Sequence, residues 1–289
     1  MRKKIIKRLV LVLAVGAAAA SIGNVAWANH AWGNYHWARK TPQFTLKLGN
    51  NLTTTAWTAR LSQASSDWNA GNTPVLTAIV SGSAGSRTCK MVSGTAQVCN
   101  ATYGNNGWLG LASINIMGDH ITQGTAKMND TYFNTSTYNN VNERQHVMCQ
   151  EVAHTFGLGH QSEDGSSQNS CMDYFSNTGV NAGSTVSTKP NAHDFSMLNT
   201  IYAHLDSTTT VAAAPGPVPA SAAGGVDKDI SDDPHSWGAL MKQSANGRSS
   251  TYQRHNQDGS ITVTHVYWTN EAAQSCTSCD HRRLLRDAH

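Results

Sequence analysis

Four residues within one eleven-residue stretch, Gln150, Glu151, His154 and His160, have the types and spacing to build a metal site with a general base beside it. Residues four apart on a helix share a face, so positions 150 and 154 point at a common spot. Gly157 permits a sharp turn, after which His160 can return to that spot from beyond the helix. Glu151 lies next to the ligands and can take a proton from an attacking water. The chemistry implied is metal-assisted hydrolysis. Gln150 complicates it, because a neutral amide oxygen is a poorer metal donor than imidazole. Three arrangements are open. Gln150 ligates through oxygen and leaves a weaker, open zinc site; His154 and His160 hold zinc with another group while Gln150 only hydrogen-bonds; or the site has lost its metal and become a binding surface.

Other histidines and cysteines compete for the same role. His146 lies two helical turns, about 12 Å, before His154 and is expected to hydrogen-bond to Gln150 rather than ligate. His120 follows a strand and reads as a surface histidine, with lining of the cleft as the alternative. Cys276 and Cys279 form a single C-x-x-C with no second pair to complete four ligands, so a disulfide is the expectation there. Six cysteines, all beyond residue 28, read as disulfides. Proximity favours Cys89 with Cys99, and elimination then favours Cys276 with Cys279.

These side chains need a scaffold. Residues 142–156 form the central helix, with Val147, Met148, Val152, Ala153 and Phe156 apolar. Before it, strands are expected at 44–48, 75–80 and 109–117, with a short edge strand at 125–133. Ala56, Ala59, Leu61, Ala64 and Trp68 mark an amphipathic helix over 53–68. The glycine-rich stretch 82–107 reads as a loop tied by Cys89 and Cys99, and 161–170 as a polar loop. A last helix is expected over 193–205, and the alternating run ITVTHVYW at 261–268 is a strand.

The ends frame four segments. Residues 1–28 read as a secretory signal peptide, with Arg2, Lys3, Lys4, Lys7 and Arg8 before an apolar run and Ala26-Trp27-Ala28 as the cleavage site. Residues 29–206 form the main domain, 207–225 an Ala/Pro/Gly linker, and 226–289 a small C-terminal region, either an accessory unit or a strand that docks back. The signal holds five of the 21 basic residues and no acidic ones. The rest carries 16 basic against 18 acidic residues, which gives no reason to expect a nucleic-acid partner. The expectation is a secreted monomer, free of the membrane after signal cleavage. No cysteine precedes Cys89, and only 15 residues separate the cleavage site from the strand at 44, so no large pro-segment is expected.

The stretch from Glu151 to His160 resembles the metzincins, zinc endopeptidases that include the matrixins and astacins, with Gln150 in place of the first zinc-binding histidine. The resemblance is concentrated at 151–160 and 171–174 and extends weakly over about 40–206. It implies an α+β, zincin-like domain with a twisted, mostly parallel mixed sheet and an active-site helix. It implies Zn2+ on Gln150, His154 and His160, with Glu151 as base and peptide or protein as substrate, bound extended along an edge strand. Met172 would be the methionine turning beneath the metal, and Tyr174 would approach the metal or steady the tetrahedral intermediate. That layout also brings Cys149 and Cys171 together as a disulfide across the floor of the site.

Overall fold

The computed structural model describes residues 30–212, 232–276 and 280–281. The signal segment, most of the expected linker and Cys279 lie outside the described residues. The fold is a mixed α+β arrangement around one twisted sheet. Its strands are β1 (His36–Trp37), β2 (Phe44–Asn51), β3 (Val75–Ser81), β4 (Thr95–Ala101), β5 (Trp108–Met117), β6 (His120–Asn129), β7 (Ala239–Gln243), β8 (Ser249–His255) and β9 (Ile261–Trp268). The order across the sheet is β3-β2-β4-β6-β5-β9-β8-β7, with β1 paired to β6. Neighbours from β3 to β6 are parallel, and those from β6 through β5 to β7 are antiparallel. The sheet is therefore half antiparallel rather than mostly parallel, because three strands come from the C-terminal segment.

Two helices lie against this sheet. α1 (Thr55–Asn69) starts at Thr54, whose side chain accepts from the Trp57 N–H, and buries Trp57, Leu61, Ala64 and Trp68. α3 (Val141–His154) starts at Asn140, whose side chain accepts from the Glu143 N–H. α3 packs on β5, β6 and α1. Trp68 Nε1 donates to the Cys149 carbonyl at 3.2 Å, which ties the two helices at the level of the site. The short α2 (Asp130–Phe133) follows β6, and α4 (Ala192–Ile201) opens with a capping box of Asn191 and Asp194. α5 (Asn270–Ser275) follows β9. No helix among the described residues is long and apolar enough to cross a membrane.

Two sequence expectations are corrected, and an alternative left open is decided. The glycine-rich stretch 82–107 contains β4, a buried strand between β2 and β6. Its run TAQVCNA carries small and polar residues on both of its buried faces, so by composition the stretch reads as loop. The strand expected at the edge over 125–133 is β6, which lies inside the sheet, and residues 130–133 turn into α2. The C-terminal segment adds β7, β8 and β9 to the same sheet, the docking alternative. A shared core of Tyr103, Trp108 and Leu111 with Trp237, Tyr252 and Trp268 joins the two segments. The first residues of the expected linker are also bound, since Thr210 N–H donates to the Ala38 carbonyl at 3.0 Å.

Candidate metal centre

α3 delivers Gln150, Glu151 and His154 to one end of the sheet, and Gly157, at φ +91°, turns the chain beyond it. The turn is also a close approach: a Cβ on Gly157 would lie 2.1 Å from the Tyr35 carbonyl oxygen. His160 returns so that its Nε2 stands 3.0 Å from His154 Nε2. The third histidine of the cluster is His265 on β9, and one ligand atom from each of the three lies within 4.8 Å of the others. β9 places it there by pairing with β5, with His265 opposite Ala112.

The rings are oriented by their other nitrogens. His154 Nδ1 contacts the Leu158 carbonyl at 2.7 Å, and His160 Nδ1 contacts Glu163 Oε1 at 2.9 Å. Both Nε2 atoms then face the common point, with Glu163 as a carboxylate partner behind His160. Burial, reinforced by the neighbouring rings, pushes His154 and His265 well below the usual histidine value. Burial also lowers His160, against the opposing pull of Glu163. All three favour the neutral form, which is the form that binds a metal. Zn–N bonds of 2.0–2.1 Å give a tetrahedral N···N edge of about 3.3 Å, close to the His154–His160 separation. The donor set fits zinc.

Glu151 is fully buried, and neither carboxylate oxygen has a hydrogen-bond partner. Burial pushes its carboxyl well above the ordinary carboxylate range. His265 Nδ1 lies 3.6 Å from its Oε2. Gly110 on β5 makes room for it, because a Cβ there would lie 2.4 Å from Glu151 Oε1. An unpaired buried carboxylate is costly, and a cation at the histidine trio would relieve that cost.

Gln150 is used differently. Its Nε2 donates to the Cys171 carbonyl at 3.0 Å and to the Asp173 carbonyl at 2.8 Å, and its Oε1 is buried without a partner. His146 does not bond to Gln150. Its Nε2 meets the same Asp173 carbonyl at 2.9 Å and its Nδ1 meets Asn177. Met172 is buried in the turn at 170–173, next to the Cys149–Cys171 disulfide that joins the turn to α3. Cys89 and Cys99 are also bonded, and Cys276 is in a disulfide. The Tyr174 hydroxyl lies 3.1 Å from His160 Nε2 and 2.7 Å from His265 Nε2. His120 is not in this cleft.

A cavity of about 310 Å³ reaches the trio, bordered by Trp32, Tyr35, Lys242, His154, His160 and His265. Lys242 on β7 pairs with Glu163 Oε2 at 2.9 Å. Burial raises Glu163, but its bonds to His160 and Lys242 outweigh that and hold it at about 2. Sequence reading missed His265 and Glu163. Glu163 was findable as an acid three residues past His160. His265 had no spacing to announce it; the only signal was a histidine in a strand of a chain one histidine short.

No family model matches the sequence. No curated protein matches it either. Among solved structures, the chain is similar to high choriolytic enzyme 1, a hatching enzyme zinc-protease from Oryzias latipes (Medaka fish). That likeness has 12% identity and a TM-score of 0.32, over 58% of this chain and 94% of the other.

Proposed function

We propose that this chain is an exported, monomeric zinc-dependent endopeptidase whose metal is held by His154, His160 and His265, acting on peptide or protein rather than nucleic acid. The observation that carries the reading is the histidine trio: His265 occupies the ligand role that the sequence leaves to Gln150. Gln150 then serves the turn beneath the site, through its bonds to the Cys171 and Asp173 carbonyls. The resemblance of residues 151–160 to metzincins supports the same chemistry. The two intact disulfides and the signal-like segment at 1–28 support export.

Zinc, when bound, polarises the scissile carbonyl and makes water more acidic. Glu151 takes the proton of the attacking water and passes it to the leaving amine. Its raised proton affinity in the buried site suits that two-way transfer. The Tyr174 hydroxyl, at the edge of the trio, donates to the oxygen on which charge develops. Trp32 and Tyr35 border the cavity that reaches the trio.

One observation favours a second reading, an exported metal-binding module that holds protein or cell-wall material without cutting it. The edge of β5, where an extended peptide could add to the sheet, is filled by β9. Zinc content and casein cleavage by the purified full chain decide between them, with Glu151→Gln as control. Stoichiometric zinc with cleavage lost in Glu151→Gln supports the enzyme. Zinc bound without cleavage supports the module. A His265→Ala variant that keeps the full wild-type zinc stoichiometry, while Gln150→Ala loses one equivalent, would return the ligand role to Gln150.

A further inference from the structure

At another place on the sheet, three histidines converge on one aspartate. His36 opens β1 and lies in register with His120, which opens β6. His204 and Asp206 follow α4 and cross the same end. Asp206 Oδ1 is 3.2 Å from His120 Nε2, 3.4 Å from His36 Nε2 and 3.5 Å from His204 Nε2. His204 Nε2 is 3.2 Å from His36 Nε2. Ligand bonds of 2.0–2.2 Å in a zinc tetrahedron give edges of about 3.3–3.5 Å, so these four separations have the lengths of tetrahedral edges. The rings stand nearly perpendicular, at 90° for His36 with His120 and 81° for His36 with His204, arranged around a point rather than stacked.

Hydrogen bonding alone accounts poorly for the cluster. His36 Nδ1 lies 2.8 Å from the Asn34 carbonyl, which only accepts, so Nδ1 carries the proton. In the neutral ring Nε2 is then a bare lone pair, and it faces a carboxylate oxygen and a second ring nitrogen. Three Nε2 atoms also crowd one oxygen that has two lone pairs to offer. Asp206 Oδ2 is already used by the Arg39 N–H at 2.9 Å, which turns Oδ1 toward the histidines. Backbone and carbonyl bonds behind the ligands orient them as a second shell does at metal sites.

We propose that His36, His120, His204 and Asp206 form a second divalent-metal site of the zinc class, separate from the His154 trio. The nitrogen-rich set with one carboxylate suits zinc over calcium or magnesium. The site is structural. It holds β1, the start of β6 and the chain leaving α4, just where residues 206–210 bond back to Ala38 and Arg39 on the way to the C-terminal strands. His36, His120 and Asp206 bring one donor atom each within 4.8 Å of one another, and His204 approaches from the His36 side as the fourth donor. The half-exposed His204 lets the ion enter from solvent.

The test uses the full mature chain, stripped with chelator and titrated with Zn2+, with elemental analysis and thermal melting as readouts. The wild type is expected to bind two zinc ions. His120→Ala/His204→Ala, at the two most exposed ligands, and separately Asp206→Asn, are expected to bind one. His265→Ala is expected to keep the other, so that combining it with His120→Ala/His204→Ala leaves none. Chelator is expected to lower the melting temperature of His265→Ala but not of the variant that lacks both sites. Should the His154 trio hold no metal, the wild type binds one ion that His265→Ala keeps and His120→Ala/His204→Ala loses. Zinc stoichiometry unchanged in both His120→Ala/His204→Ala and Asp206→Asn overturns the proposal and leaves a hydrogen-bonded histidine–aspartate cluster.

Discussion

Gly110 gives the sharpest test of how the sheet positions the base. An alanine there would place its Cβ 2.4 Å from Glu151 Oε1 and 2.7 Å from Val147 Cγ1, where ordinary contact begins near 3.4 Å. Glu151 is fully buried, so its carboxylate cannot swing into solvent. It must retreat by about 1 Å, or β5 and α3 must separate. A misplacement of that size at a reacting group costs on the order of 100-fold in rate, or about 2.7 kcal/mol of transition-state stabilisation. Overpacking adds about 1–3 kcal/mol of lost stability, which lowers the melting temperature by about 2–4 °C for each kcal/mol in a chain of this size. The histidines are not touched, so zinc content is expected to hold. The assay is casein or peptide hydrolysis per bound zinc, with melting measured in parallel. Gly110→Ala that cleaves at the wild-type rate per zinc, with an unchanged melting temperature, would refute the placement of Glu151 against β5.

Three further predictions follow from neighbouring contacts. Gln150→Ala is expected to keep its zinc yet lose about 1–3 kcal/mol in urea unfolding, because the buried Cys171 carbonyl loses its donor and the Asp173 carbonyl keeps only His146; loss of zinc with unchanged stability would contradict this. Replacing Cys149 and Cys171 by serine, which opens a loop of 22 residues, is expected to cost about 2–4 kcal/mol and to loosen the turn carrying Met172, read by denaturation and by proteolysis near 161–173. The Glu163 carboxyl sits at about 2 when folded against an ordinary glutamate value of 4.5, so the unfolded chain binds its proton first. Its contribution is therefore full above the ordinary glutamate value and is lost as pH falls towards about 2. Metal-free wild type and Glu163→Gln are expected to differ in urea midpoint near neutral pH and to converge on acidification, and parallel curves would show the opposite.

The helix carrying Glu151 and His154, the turn at Gly157 and the return of His160 are legible in the sequence because they rest on local geometry. Four residues make one helical turn, and a glycine permits the reversal, whatever the rest of the chain does. The strand at 261–268 is legible from its alternation, and Cys149 with Cys171 from the metzincin-like layout. β4 was not, since small and polar residues fill both of its buried faces and the stretch reads as loop by composition. Neither was the use of Gln150, whose amide partners are backbone carbonyls and leave no trace in side-chain spacing. His265 joins His154 and His160 only because β9 pairs with β5, and His36 meets Asp206 only because β1 lies along β6 beside the chain leaving α4. Sheet pairing joins residues far apart in sequence through backbone bonds that most side chains allow. The sequence therefore names His154 and His160, and the tertiary structure chooses their partner.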